Sequence, residues 1–199
     1  MGMTSHYVNR HGRLWLDRRS AAGGLGAAGL FSAAPRAGLA AAPLSAAETL
    51  KAELAAADAE GKTLALFAQA SWCPYCKLFG ILLNESAAAP VLKSHFRFFW
   101  LNVRERKPEW KAKELSGAMA LFKSYSGGQQ SVPFFAFLDS NGKTLSASVN
   151  SSGQNIGYPT SDAELDSFDA MFAKAAPKMT KADIARVRAA IVSLYSPKD

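Results

Sequence analysis

Cysteine is nearly absent from this chain: two in 199 residues, Cys73 and Cys76, with only two residues between them. No third cysteine exists to cross-link distant segments, and none directly follows the N-terminal segment to carry a bacterial lipid anchor. Histidine is scarce as well, and two of the three, His6 and His11, fall in an N-terminal segment unlike the rest. Two sulfurs and the remaining His95 fall short of the four ligands that zinc takes, so no metal is expected. Long apolar runs are missing too, which excludes an ordinary transmembrane helix. Acidic residues number 16 against 23 basic ones, a formal charge of +7. Five arginines against one aspartate place +4 of that charge in residues 1–42, leaving +3 for everything after them. In that remainder a basic cluster at Arg104, Arg106, Lys107, Lys111 and Lys113 is interrupted by Glu105, Glu109 and Glu114. The alternation reads as a solvated helix face, and no nucleic-acid partner is expected.

The N-terminal segment opens basic, ends that part with Asp17-Arg18-Arg19-Ser20, and runs from Ala21 to Ala34 in little but Ala, Gly and Leu before Arg36. This predicts a signal peptide over residues 1–44, cleaved between Ala41 and Ala47. The paired arginines resemble a bacterial twin-arginine leader. Ala21 and Ala22 stand where that pattern prefers larger apolar residues, so the general secretory route stays open. A disordered Ala/Gly tail and an uncleaved anchor are the alternatives. After leader removal no stable membrane insertion is expected, and the location is the bacterial periplasm or cell exterior.

The remainder predicts alternating helices and strands. Ser45-x-x-Glu48 is a capping box for a first helix ending near Gly61. Thr63 to Ala70 reads as a buried strand, followed by a helix from about Cys73 toward Ala89 that Pro90 interrupts. His95 to Val103, dense in Phe, Trp, Leu and Val, reads as a strand buried on both faces. Trp110, Leu115, Met119 and Phe122 predict one helix over 108–125. Val132 to Leu138 and Lys143 to Val149 read as an antiparallel hairpin about Asp139-Ser140-Asn141-Gly142. Two helices close the chain, one opened by the capping box Ser161-x-x-Glu164 and one after Thr180. Gly157-Tyr158-Pro159 reads only as a turn. Strands separated by helices give parallel pairing, and the hairpin makes the sheet mixed.

The chemistry sits in Trp72-Cys73-Pro74-Tyr75-Cys76, where the first strand gives way to a helix. Cysteine is nucleophilic as the thiolate, and a helix N-terminus stabilises that anion with free N–H groups and partial positive charge. Cys73 is then the attacking thiol. Cys76, about one turn on, is placed to resolve a mixed disulfide. A structural disulfide competes weakly with this reading, because closing two residues of chain constrains little. A hydrolase dyad of Cys73 with His95 is the remaining nucleophilic alternative.

Trp72-Cys73-Pro74-Tyr75-Cys76-Lys77, Ser131-Val132-Pro133 and Asn141-Gly142-Lys143 together resemble the thioredoxin-like superfamily, over roughly Ala46 to Ala176. The resemblance implies an α/β thioredoxin-like three-layer sandwich: a central mixed sheet of about four strands flanked by helices, over residues 45–176, with a C-terminal helical extension at 177–199. It also implies that Pro133 is cis and that Val132 docks an extended substrate, with Trp72, Pro74 and Tyr75 completing the substrate surface. Thioredoxins place a buried aspartate six residues before the first cysteine and a lysine beside it on the next strand. This chain has Phe67 and Trp100 there, so deprotonation of Cys76 falls to water or to a carboxylate from elsewhere. The expected function is a thiol:disulfide oxidoreductase without bound cofactor, acting on a protein disulfide or dithiol and exchanging electrons with an upstream redox partner protein. Reduction or interchange is favoured over oxidation. A binding module with idle cysteines and a thiol peroxidase are the rivals.

Overall fold

The computed structural model describes residues 44–195. The leader expected over 1–44 lies outside them but for Leu44. Four strands pair in the order β2-β1-β3-β4: β1 (Thr63–Gln69), β2 (Phe96–Asn102), β3 (Phe134–Leu138) and β4 (Thr144–Ala147). β1 runs parallel to β2 and antiparallel to β3, which turns back at Asp139–Gly142 into antiparallel β4. Among the described residues seven helices surround this sheet: α1 (Ala46–Ala59), α2 (Pro74–Asn84), α3 (Ala89–His95), α4 (Pro108–Lys111), α5 (Ala118–Tyr125), α6 (Asp162–Ala175) and α7 (Lys181–Tyr195). The result is a thioredoxin-like three-layer α/β architecture.

Side chains alternate across the strands with period two, and each face has its own core. Ala65, Phe67, Phe96, Phe135 and Phe137 face α2, α3, α6 and α7. Leu64, Leu66, Ala68, Phe99, Leu101, Phe134, Ala136 and Leu138 face α1 and α5. The last helix belongs to the first core, because Val187 and Ile191 are buried in the same cluster as Cys76 and Phe79 of α2. Both capping boxes close as the sequence dictates, Ser45 with Glu48 and Ser161 with Glu164.

Five expectations need correction. The helix after the cysteines ends at Asn84, where Ser86 Oγ takes over the Leu82 carbonyl and caps Ala88 N–H instead. Pro90 then occupies the first turn of a new helix, α3, where its missing N–H costs nothing. The strand expected to be buried on both faces is an edge strand, β2, and Arg97, Phe98, Trp100 and Asn102 stay partly exposed. The single helix over 108–125 is two, broken before Gly117, whose φ of 77° only glycine adopts freely. The basic cluster at 104–113 therefore forms no continuous helix face: Arg104 to Lys107 are a loop, and only Lys111 of its lysines lies in α4. The hairpin is also shorter than expected, beginning at Phe134 after the proline.

Candidate functional site

Cys73 is the N-cap of α2, with extended backbone and Pro74 at the first helical position. Its sulfur accepts the Cys76 backbone N–H at 3.1 Å. In the thiol form it donates to the Val132 carbonyl at 3.6 Å. Both cysteines are unbridged and buried, Cys73 at 3 % exposure and Cys76 at 2 %. Their acidities diverge. The Cys76 thiol donates to the Cys73 sulfur and, with the N–H groups of Cys76 and Tyr75 and the charge of Lys77, lowers Cys73 from 9.0 to about 7 against the cost of burial. Cys76 is pushed far up, because it supplies that hydrogen bond, because it is desolvated, and because an adjacent thiolate repels a second negative charge. One sulfur is prepared to be an anion, and the other holds the proton.

The residues singled out by sequence converge here. The Val132–Pro133 peptide bond is cis, and Val132 meets the Cys73 sulfur through its carbonyl. Tyr75 is 41 % exposed and stacks on Tyr158 with ring centres 5.9 Å apart. Trp72 is partly exposed and donates its indole N–H to the Arg104 carbonyl at 2.8 Å. Phe67 and Trp100 are register partners on β1 and β2, with ring centres 4.9 Å apart, so apolar bulk fills the space behind α2. His95 does not join the site. It precedes the start of β2 while the cysteines follow the end of parallel β1, which separates them by about 20 Å at ~3.3 Å per residue and removes the dyad alternative.

Three groups that sequence reasoning passed over complete the surroundings. Glu105, 5 % exposed, takes the Ser71 backbone N–H at 2.7 Å and its hydroxyl at 2.5 Å. Glu105 and Cys76 line one cavity of about 270 Å³ together with Gln69, Asn102 and Trp110. Asn155 fastens the loop of Ser131 to Pro133, donating to the carbonyls of Ser131 and Pro133 at 3.0 and 2.9 Å and accepting from buried Ser148. Tyr158, read as part of a turn, is buried between Tyr75 and Phe79 and donates to the Ile191 carbonyl of α7 at 2.8 Å. The only sequence signal for any of these was the broken charge pattern around Glu105. Among the described residues no cluster of His, Cys, Asp and Glu is placed to hold a metal ion.

Comparison with curated proteins gives no match. Solved structures similar to this chain include the following two. One is a disulphide isomerase from Xylella fastidiosa Temecula1, at 17 % identity over 77 % of this chain and 93 % of that one, with a TM-score of 0.43. The other is a DsbH oxidoreductase, at 18 % identity over 73 % of this chain and 94 % of that one, with a TM-score of 0.38. Neither likeness is close enough to carry a substrate or a direction of exchange. The family model of the thioredoxin-like domain matches residues 50–150, just over half of the chain, and the chain belongs to that family.

Proposed function

We propose that this protein is an exported thiol:disulfide oxidoreductase that exchanges its Cys73–Cys76 dithiol with protein disulfides, favouring reduction or interchange. The observation that carries the reading is the Cys73 sulfur at the N-cap of α2, receiving the Cys76 N–H at 3.1 Å while Cys76 keeps its proton. In the first step the Cys73 thiolate attacks one sulfur of a substrate disulfide. The substrate S–S bond breaks, a mixed disulfide forms, and the departing substrate thiolate takes up a proton. Cys76 then loses its proton and attacks the Cys73 sulfur, which releases the second substrate thiol and leaves a Cys73–Cys76 disulfide. Phe67 and Trp100 provide no base for that proton. Glu105 is the carboxylate that lines the same cavity as Cys76, and the cavity is large enough for a bridging water. Trp72, Pro74, Tyr75, Val132 and Pro133 form the docking surface.

Export is supported by the basic, Ala/Gly-rich leader ahead of a domain with no helix among its described residues long and apolar enough to cross a membrane. Replacing Arg18 and Arg19 by Lys should leave precursor in the cytoplasm, and unchanged export refutes the twin-arginine route. The 3 % exposure of Cys73 favours a second reading, a binding module that uses the Val132–Pro133 edge without turnover. Insulin reduction separates the two. Cys73→Ser abolishes it in an oxidoreductase and leaves a binder's affinity intact, and the equilibrium of the dithiol against a glutathione buffer then assigns the direction of exchange.

A further inference from the structure

Two cations border the cysteine motif with no counter-charge among the described residues. Arg104 and Arg106, both exposed, flank buried Glu105 on the loop after β2. The Arg106 guanidinium lies 3.9 Å from the centre of the Trp72 ring, next in sequence to Cys73, and that of Arg104 lies 6.0 Å from it. A guanidinium stacked by its face keeps its N–H edge free, and that edge is what binds a carboxylate at two points. Arg104 holds φ at 58°, a left-handed conformation that side chains rarely adopt and that persists where the surroundings require it. In this conformation its carbonyl takes the Trp72 indole N–H at 2.8 Å, and its Nη1 donates to the Gln130 carbonyl at 2.6 Å, just before Ser131-Val132-Pro133.

Among the described residues no carboxylate pairs with either guanidinium. Arg97 is held by Glu53 and Glu60, and Arg188 by Asp162, Asp166 and Asp169. The acid between the two cations is spent elsewhere: Glu105 turns inward to Ser71, and Glu114 takes the Glu105 backbone N–H at 2.6 Å. Lys77, directly after Cys76 in the first turn of α2, adds a third positive charge beside the cysteines.

We infer that this basic rim selects disulfides whose cysteine is flanked by Asp or Glu, the free edge of Arg106 meeting the carboxylate while the neighbouring sulfur reaches Cys73. The inference rests on the exchange reading and adds the charge of the substrate to it. Opposite charge also raises the encounter rate, so the preference is strongest at low salt.

The test uses three synthetic peptide disulfides, identical except for Glu, Gln or Lys beside the reactive cysteine, mixed with the reduced protein in single-turnover stopped flow. The Glu peptide should react about three- to tenfold faster than the Gln peptide at low salt, with Lys slowest and the spread narrowing at high salt. Arg106→Gln should bring the Glu-to-Gln ratio close to one, and Arg106→Lys, which keeps the charge but not the planar fork, should restore part of it. Equal rates for the Glu and Lys peptides, or a ratio unchanged in both Arg106→Gln and Arg104→Gln, overturn the inference. Charge-blind exchange refutes this inference alone, whereas failure to form a mixed disulfide with any of the three refutes the exchange reading as well.

Discussion

The two faces of the sheet are built from different materials and serve different ends. On the face covered by α2, α3, α6 and α7, Phe67, Phe96, Phe135 and Phe137 meet Phe79, Phe168 and Phe172, with centroid separations of 4.4 to 6.4 Å. On the other, mostly Leu and Ala face α1 and α5, and small residues such as Ala46 and Ala57 allow close approach. Aromatic rings are stiff and prefer particular mutual geometries. The helix that carries the cysteines is thus held by its most rigid neighbours. The redox helix is positioned by ring packing, while the aliphatic face supplies stability and reaches the site only through Val132, which packs against both cores.

Paired substitutions can break this contrast. Phe67→Ala should cost about 3–5 kcal/mol and Leu66→Ala about 2–5 kcal/mol, both read by denaturant unfolding. Only Phe67→Ala, whose ring lies 5.7 Å from that of Phe79 on α2, should also slow disulfide exchange per folded molecule. Equal exchange rates in the two variants would remove the distinction. Within the aromatic face, Cys76→Ala deletes the largest stabilisation of the Cys73 thiolate, so the Cys73 pKa should climb from about 7 toward 9.0. At neutral pH the thiolate fraction then falls by more than tenfold, measured by absorbance at the thiolate band.

The same acidity makes stability depend on pH. Between about 7 and 9.0 the folded dithiol binds fewer protons at Cys73 than the unfolded chain, so this contribution rises with pH across that window and is lost as pH falls through about 7. Unfolding of the reduced protein compared with Cys73→Ala should show the trend, and a flat difference would contradict it.

Smaller effects are expected where the loop of Ser131 to Pro133 and the last helix are tied down. Ser148, wholly buried, accepts the Phe135 N–H at 2.9 Å and donates to Asn155, so Ser148→Ala leaves an unsatisfied amide and should cost about 1–3 kcal/mol. Tyr158→Phe keeps the ring against Tyr75 and loses only the bond to Ile191, for about 0.5–1.5 kcal/mol, with faster amide exchange confined to the end of α7.

The legible features were the local ones. Capping boxes, the strand-to-helix placement of the cysteines and the Asp139–Gly142 turn each depend on residues within four positions of one another, and the structure carries all of them. Pro90 was misread because proline suits the start of a helix as well as its interruption. β2 was misread because a dense aromatic run signals burial without saying which neighbours provide it. Glu105 meets Ser71 across 34 positions, Tyr158 meets Ile191 across 33, and Asn155 meets Pro133 across 22. No periodicity encodes contacts at such separations. The sequence therefore exposed the sulfurs, but not the carboxylate, amide and phenol that surround them.

Two cysteines one helical turn apart are given opposite acidities by their surroundings. Mass-resolved alkylation of the reduced protein across a pH series tests this directly. The account predicts that Cys73 is modified with a midpoint near 7 while Cys76 stays unmodified. A common midpoint near 9.0 for both thiols would contradict it.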